Sequence, residues 1–193
     1  MRTGSVLISF YGPSGSGKST CYEYALPVLE SLGLEVHRCD VAYPLRRIQN
    51  YAYELFGKEK PGNPDDSTKF RQDGVFLSFL AKHFSDRLGP LFLKRAEELL
   101  SRNSSSVVAL VNTDCRNNAY PVLAEMGFRF VKLEVRADIL DARRKERGDI
   151  TYTDYESEVE KYNLISPSDV IWNNGTKDSL KKMVEDAVLK IAI

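Results

Sequence analysis

The chain has 193 residues, enough for one domain with a sizeable core, and carries 27 basic and 27 acidic residues. That balance gives no chain-wide cationic excess for nucleic acid, and no apolar run approaches the roughly 20 residues needed to span a bilayer. Cys21, Cys39 and Cys115 are far apart and odd in number, which fits neither a zinc spacing nor a disulfide framework and reads as a reduced, cytoplasmic protein.

Val6-Leu7-Ile8-Ser9-Phe10 reads as a buried strand within residues 5–11, too short to be a secretory leader. Directly after it, Gly12-Pro13-Ser14-Gly15-Ser16-Gly17-Lys18-Ser19-Thr20 fits GxxxxGK(S/T), the phosphate-binding loop. Its glycines let successive backbone N–H groups turn into one concavity that suits an anion. A helix over 18–32 adds its positive end, and Tyr22, Ala25, Leu26, Leu29 and Leu32 recur at its spacing. In such a loop Lys18 reaches the β- and γ-phosphates of ATP and the Ser19 hydroxyl ligates Mg²⁺, while Ser14, Ser16 and Thr20 complete the donor site. Pro27 is expected to kink that helix or shift its boundary, and Gly33 to cap it.

Residues 34–39 are a second strand, with His37 as a half-exposed strand residue, ending at Asp40. A helical pattern runs from Ala42 to Phe56, followed by a loop over 57–67 rich in proline, glycine and charge. Helices over 70–87 and 90–102 complete a helical insertion, 42–103, between two strands of a single 1–193 domain. Val107 to Val111 is the clearest buried strand and leads into Asn112-Thr113-Asp114-Cys115-Arg116. A short helix over 118–126 ends at Gly127, and strand 129–135 places Val131, Leu133 and Val135 on one face. A charged helix over 137–146 and a short one over 154–163 form a lid region, 137–163. A last strand, Val170-Ile171-Trp172, enters Asn173-Asn174-Gly175-Thr176 and an amphipathic helix through Leu180, Val184, Ala187 and Ile191.

Strands alternating with helices indicate an α/β fold with a parallel sheet covered on both faces, whose ligands sit at the carboxyl ends of the strands. Those ends carry Gly12, Asp40, Asp114 and Asn173. Asp114 has the position of a metal-holding carboxylate, or caps the next helix. Asp40 is a base for an acceptor hydroxyl, a second metal-site carboxylate, or another cap. Arg143, Arg144 and Arg147 fall within about one helical turn, with Arg143 and Arg147 on one face, where they neutralise transferring phosphate or form a solvated face. Arg46, Arg47 and Arg71 lie where a second substrate's phosphate would dock.

With these motifs the chain resembles the P-loop nucleoside and nucleotide kinases, most of all phage-type deoxynucleoside monophosphate kinases, with dephospho-CoA kinase and animal-type phosphomevalonate kinase as relatives. The likeness covers nearly the whole chain. Asp40-Val41-Ala42-Tyr43-Pro44-Leu45-Arg46-Arg47 resembles the family's Asp-Pro-Leu-Lys segment, stretched by three residues. Lys69-Phe70-Arg71-Gln72-Asp73-Gly74 resembles its arginine-bearing acceptor segment, and Thr113 to Asn118, with Arg116, its Asp-x-Arg segment. Ala119 and Tyr120 stand where the family has glutamate, and Asp149 beyond Arg143 and Arg147 is similar to the lid of dephospho-CoA kinases. Asn174 and Gly175 resemble an adenine-side loop. The resemblance implies a five-stranded parallel sheet of order 2-3-1-4-5, and transfer of the ATP γ-phosphoryl group, with Mg²⁺, to a small phosphorylated acceptor. A nucleoside monophosphate is the first expectation, and a hydroxyl-bearing metabolite or a nucleotide-gated module without an acceptor are the alternatives. No nucleic-acid or membrane partner is expected, and the protein is a monomer or homodimer.

Overall fold

A strand in the middle of a parallel sheet is covered on both faces, and β1 (Val6–Tyr11) is buried from Leu7 onward. It pairs with β3 (Val108–Asn112) on one side and β4 (Arg129–Glu134) on the other, Ile8 standing opposite both Val111 and Arg129. Strand β2 (Glu35–Arg38) lies outside β3 and β5 (Asp169–Trp172) outside β4, giving a parallel five-stranded sheet of order β2-β3-β1-β4-β5, as the resemblance implies. This computed structural model describes residues 4–64, 70–102, 107–151 and 155–193. Asp65, Asp66 and Ser67 of the expected loop, Lys69 and Asp154 lie outside the described residues.

Each sheet face has its own core. Ile8, Phe10, Ala109, Val111, Val131 and Leu133 pack against α1 (Lys18–Ser31) through Cys21, Ala25 and Leu29, and against α8 (Lys177–Ala192) through Leu180, Val184 and Val188. Leu7, Tyr11, Leu110 and Phe130 face the helices that join β2 to β3 and β3 to β4, namely α2 (Tyr43–Leu55), α3 (Gly74–His83), α4 (Ser85–Arg102) and α5 (Tyr120–Glu125). The chain then runs through α6 (Ala137–Arg147) and α7 (Tyr155–Glu160) before β5.

Helix α1 continues past Pro27 to Ser31, so the proline does not move its boundary. The helix ends as Gly33 predicts: at φ 78° its N–H donates to Glu30 O, and the N–H of Leu34 donates to Leu29 O. The expected break at residues 88–89 does not occur. The chain breaks at Phe84, and α4 runs straight through Gly89 and Pro90. Packing explains this, since Leu88 and Phe92 one turn apart are buried, the Phe92 ring 5.9 Å from that of Phe128. A Cβ on Gly89 would meet Val122 Cγ2 at 3.4 Å, so the glycine lets α4 approach α5 closely.

Candidate active site

The loop between β1 and α1 is shaped by residues of β4, the end of β5 and α6. Gly12 has φ 142°, and a Cβ there would lie 2.6 Å from Leu133 O. Gly17 has φ 97°, and its Cβ would lie 2.5 Å from Asn173 Nδ2. Buried Asn173, at the end of β5, donates from Nδ2 to Ser16 O at 2.8 Å. Arg144 is 1% exposed and donates from Nε to Ser14 O at 2.9 Å. Lys18 Nζ donates to Gly12 O at 2.9 Å and Pro13 O at 2.7 Å. Ser16 Oγ is buried and has no hydrogen-bond partner among the described residues.

The two carboxylates beyond β2 and β3 are both heavily engaged. Asp40 Oδ2 accepts from Arg38 Nε and Arg46 Nη2, each at 2.8 Å, and Oδ1 accepts from Thr113 N and Oγ1, each at 2.9 Å. Burial pushes the Asp40 carboxyl up, but the Arg46 and Arg38 guanidiniums and the Thr113 hydrogen bonds outweigh it and hold it below its ordinary value. Asp114 accepts from the backbone N–H groups of Val41 at 2.7 Å and Ala42 at 2.8 Å, fixing the start of α2, and from Asn112 Nδ2 at 2.9 Å. Burial, then the neighbouring Asp40 charge, raises its carboxyl. Arg38 also donates to Thr113 Oγ1 and reaches Ser19 Oγ at 3.4 Å, joining this network to the phosphate loop.

Helix α6 forms a roof. Arg143 reaches Gly15 O and Asn173 Oδ1, both at 3.5 Å, and Arg147 Nη2 donates to Ser14 Oγ at 2.8 Å. Burial lowers the Arg143 guanidinium pKa, opposed by Glu146. Past α6 the chain is stitched to the start of α3: Ile150 N donates to Gln72 O at 3.0 Å and Gly74 N to Thr151 O at 2.9 Å. Asp73 caps α3 by accepting from Phe76 N at 3.0 Å, and it also accepts from Thr151 Oγ1.

Between these walls is a cleft of about 750 Å³. Ser14, Gly15, Gly17, Lys18, Ser19, Thr20, Asp114, Arg46, Arg116, Arg143, Arg147 and Gly175 line it, so most expected site residues meet in one place. Gly12 and Ser16 shape the loop behind them. Asp40 lines a separate hollow of about 110 Å³ with Arg38, Tyr43, Arg46 and Arg95. Arg47 is exposed over the Tyr43 ring, 6.0 Å from its centroid. Arg71 pairs with Glu59 at 2.9 Å, and exposed Asn174 accepts from Arg136 N at 2.9 Å, all three outside the cleft lining. Asn173, expected at a strand end, also lines the cleft, whereas Lys82, Ser78 and Lys161 line it without any motif to announce them.

The loop fits a polyphosphate: Ser14, Gly15, Gly17, Lys18, Ser19 and Thr20 line the cleft, and the positive φ of Gly12, Gly15 and Gly17 gives the backbone the turns that an anion-binding concavity needs. For Mg²⁺ the cleft offers the Ser19 hydroxyl and the Asp114 carboxylate, which both line it. Among the described residues no group of three or more His, Cys, Asp or Glu could hold a metal alone, so an ion here would share its ligands with phosphate oxygens and water.

No family model matches the sequence, and no curated protein matches it. Solved structures do share the fold. One is shikimate kinase from Acinetobacter baumannii in complex with shikimate, 16% identical over 97% of this chain and 93% of that one, TM-score 0.54. Another is the APS kinase of Mycobacterium tuberculosis in complex with AMPPNP and APS, 17% identical over 96% and 99%, TM-score 0.54. The chain therefore has the α/β fold of the P-loop kinases.

Proposed function

We propose that this protein is an ATP- and Mg²⁺-dependent kinase that transfers the γ-phosphoryl group to a small phosphorylated acceptor, with a (deoxy)nucleoside monophosphate as first choice. The observation that carries this reading is the cleft of about 750 Å³, with a phosphate loop at its base and the arginines of α6 over it. ATP would supply the phosphoryl group, and Ser19 and Asp114, which both line the cleft, would hold Mg²⁺, whose charge would help neutralise the phosphates. The bond between the γ-phosphorus and the β–γ bridging oxygen breaks as an acceptor oxygen bonds to that phosphorus. Lys18, Arg143 and Arg147 then offset the charge on the moving group.

The carboxylates favour an acceptor oxygen that is already anionic. Asp40 has both oxygens occupied and lies outside the cleft lining, which makes it a positioner of Arg38 and Arg46 rather than a base. A monophosphate needs no strong base, whereas a hydroxyl must lose a proton as it attacks. One observation favours the hydroxyl reading, as in dephospho-CoA kinase: Asp114, unlike Asp40, lines the cleft, although its oxygens already accept from Val41 N, Ala42 N and Asn112 Nδ2. An ATP-consumption screen over ribo- and deoxynucleoside monophosphates, dephospho-CoA and phosphomevalonate separates the two. ATP binding with no acceptor-stimulated turnover across all of them would indicate a nucleotide-gated binding module instead.

A further inference from the structure

The wall of the cleft formed by α3 and by the segments after β3 and α7 carries three cations. Ser78 and Lys82 stand one turn apart on α3, on the same face, and both line the cleft. Lys161 Nζ donates to Ser78 Oγ at 3.4 Å, which brings a second ammonium to that face. Arg116 lies beside them: its guanidinium is over the Tyr162 ring, 5.9 Å from the centroid, and the backbone N–H of the adjoining Asn117 donates to Lys161 O at 2.7 Å. Three chain segments distant in sequence thus deliver two ammoniums, a guanidinium and a hydroxyl to one corner. Among the described residues the carboxylates lining the cleft are Asp114, Glu146 and Asp149. Asp114 is held by the start of α2, Asp149 by Arg147, and Glu146 is on α6 beside Arg143. Leu45, Leu77, Ala81 and Leu88 supply apolar surface in the same cleft.

Resting on the kinase reading, we infer that Ser78, Lys82, Arg116 and Lys161 form the subsite that holds an oxyanion of the acceptor, with its apolar body against Leu45, Leu77, Ala81 and Leu88. Arg116 contributes a flat guanidinium that matches two oxygens of a phosphate or carboxylate, and the lysines contribute compact charge. This corner takes the task that the sequence pattern pointed to Arg47 and Arg71, both of which lie elsewhere. The oxyanion is phosphate or carboxylate, and the two are told apart by the probe used.

The test is calorimetric titration of inorganic phosphate, and separately of acetate, into protein saturated with AMPPNP, so that the donor's phosphate loop is filled. Lys82→Gln, Lys161→Gln and, as a control on the outer surface, Arg47→Gln are compared with wild type. Phosphate is expected to bind wild type and the Arg47 variant alike, and the two lysine variants about 10- to 100-fold more weakly, the loss of a charge-assisted contact. AMPPNP affinity should be the same in all four proteins, which also shows that the variants are folded. Tighter acetate than phosphate would assign the subsite to a carboxylate. Intact AMPPNP binding with phosphate and acetate affinities unchanged in both lysine variants, or with neither anion bound by wild type, overturns the subsite. Failure of AMPPNP to bind wild type overturns the kinase reading itself.

Discussion

Arg147 stands between Asp149 and Ser14: its Nε donates to Asp149 Oδ1 at 2.7 Å while its Nη2 donates to Ser14 Oγ at 2.8 Å. Asp149 Oδ1 in turn accepts from Gln72 N at 3.4 Å, so one guanidinium links the phosphate loop to the segment leading into α3. If Arg147 also contacts the transferring phosphoryl group, Arg147→Ala lowers kcat/KM roughly 10- to 100-fold. Asp149→Asn keeps the guanidinium and loosens the link; amide exchange at residues 72–75 should speed up in both variants, while kcat falls mainly in the first. Activity of Arg147→Ala within twofold of wild type would return α6 to a surface role.

Lys18→Ala should fold and lose phosphoryl transfer. Its partly buried ammonium donates to Gly12 O and Pro13 O and belongs to neither core, so the sheet and its two cores do not depend on it. Turnover is measured with ATP as donor and the best acceptor from the screen. Full activity would remove the phosphate-loop reading.

Asp40→Asn separates positioning from base catalysis. Removing the Asp40 charge leaves 5%-exposed Arg46 with Asp114 alone, at 3.5 Å, so the loss in urea unfolding should be at most about 3–5 kcal/mol, the cost of a fully unpaired buried charge. The sign with pH follows from the lowered carboxyl: Asp40 stabilises fully above its ordinary 3.8, and that contribution is lost as pH falls through the folded value. The variant should therefore lack part of the acid limb of the wild-type stability curve. Its kcat should fall by a modest factor that is nearly the same at every pH, whereas a base would show a large, pH-dependent loss.

The three cysteines should be inert in the folded protein. Burial pushes the thiols of Cys21, Cys39 and Cys115 up to about 12, so at pH 8 roughly one in ten thousand is thiolate. A thiol-titrating disulfide reagent should find no reactive group at that pH and three in guanidinium chloride. Rapid native reaction at any of the three would mean that its core opens.

The sheet was legible because β1 and β3 are short apolar runs, β4 alternates, and Gly12, Asp40, Asp114 and Asn173 mark the ends of four of the five strands. The division of α3 from α4 was not, because Gly89-Pro90 looks like a breaker until Leu88 and Phe92 are seen buried. Among the arginines of α6, spacing put Arg143 and Arg147 on one face and the structure agrees, but nothing local says that Arg144 is the one buried under the loop. Arg38 looked like an ordinary strand residue; its bonds to Asp40 and Thr113 are made across 2 and 75 positions, and only the fold supplies the second. Lys161 follows a short helix in a segment without motif, and reaches the cleft only because the chain after α7 packs beside the β3–α5 loop.

The clamps on the loop have an energetic consequence. Lys18 holds it from within, Asn173 from the end of β5 and Arg144 from α6, through carbonyls of Gly12, Pro13, Ser16 and Ser14. Ordering a flexible backbone costs about 1–2 kcal/mol per residue, and a loop whose shape is already fixed spares an incoming nucleotide that cost. Donor binding would then be governed by preorganisation: most of its affinity should survive truncation of the nucleotide to its phosphates and ribose, and loosening a clamp outside the cleft lining, such as Arg144, should weaken it without removing a cleft-lining group.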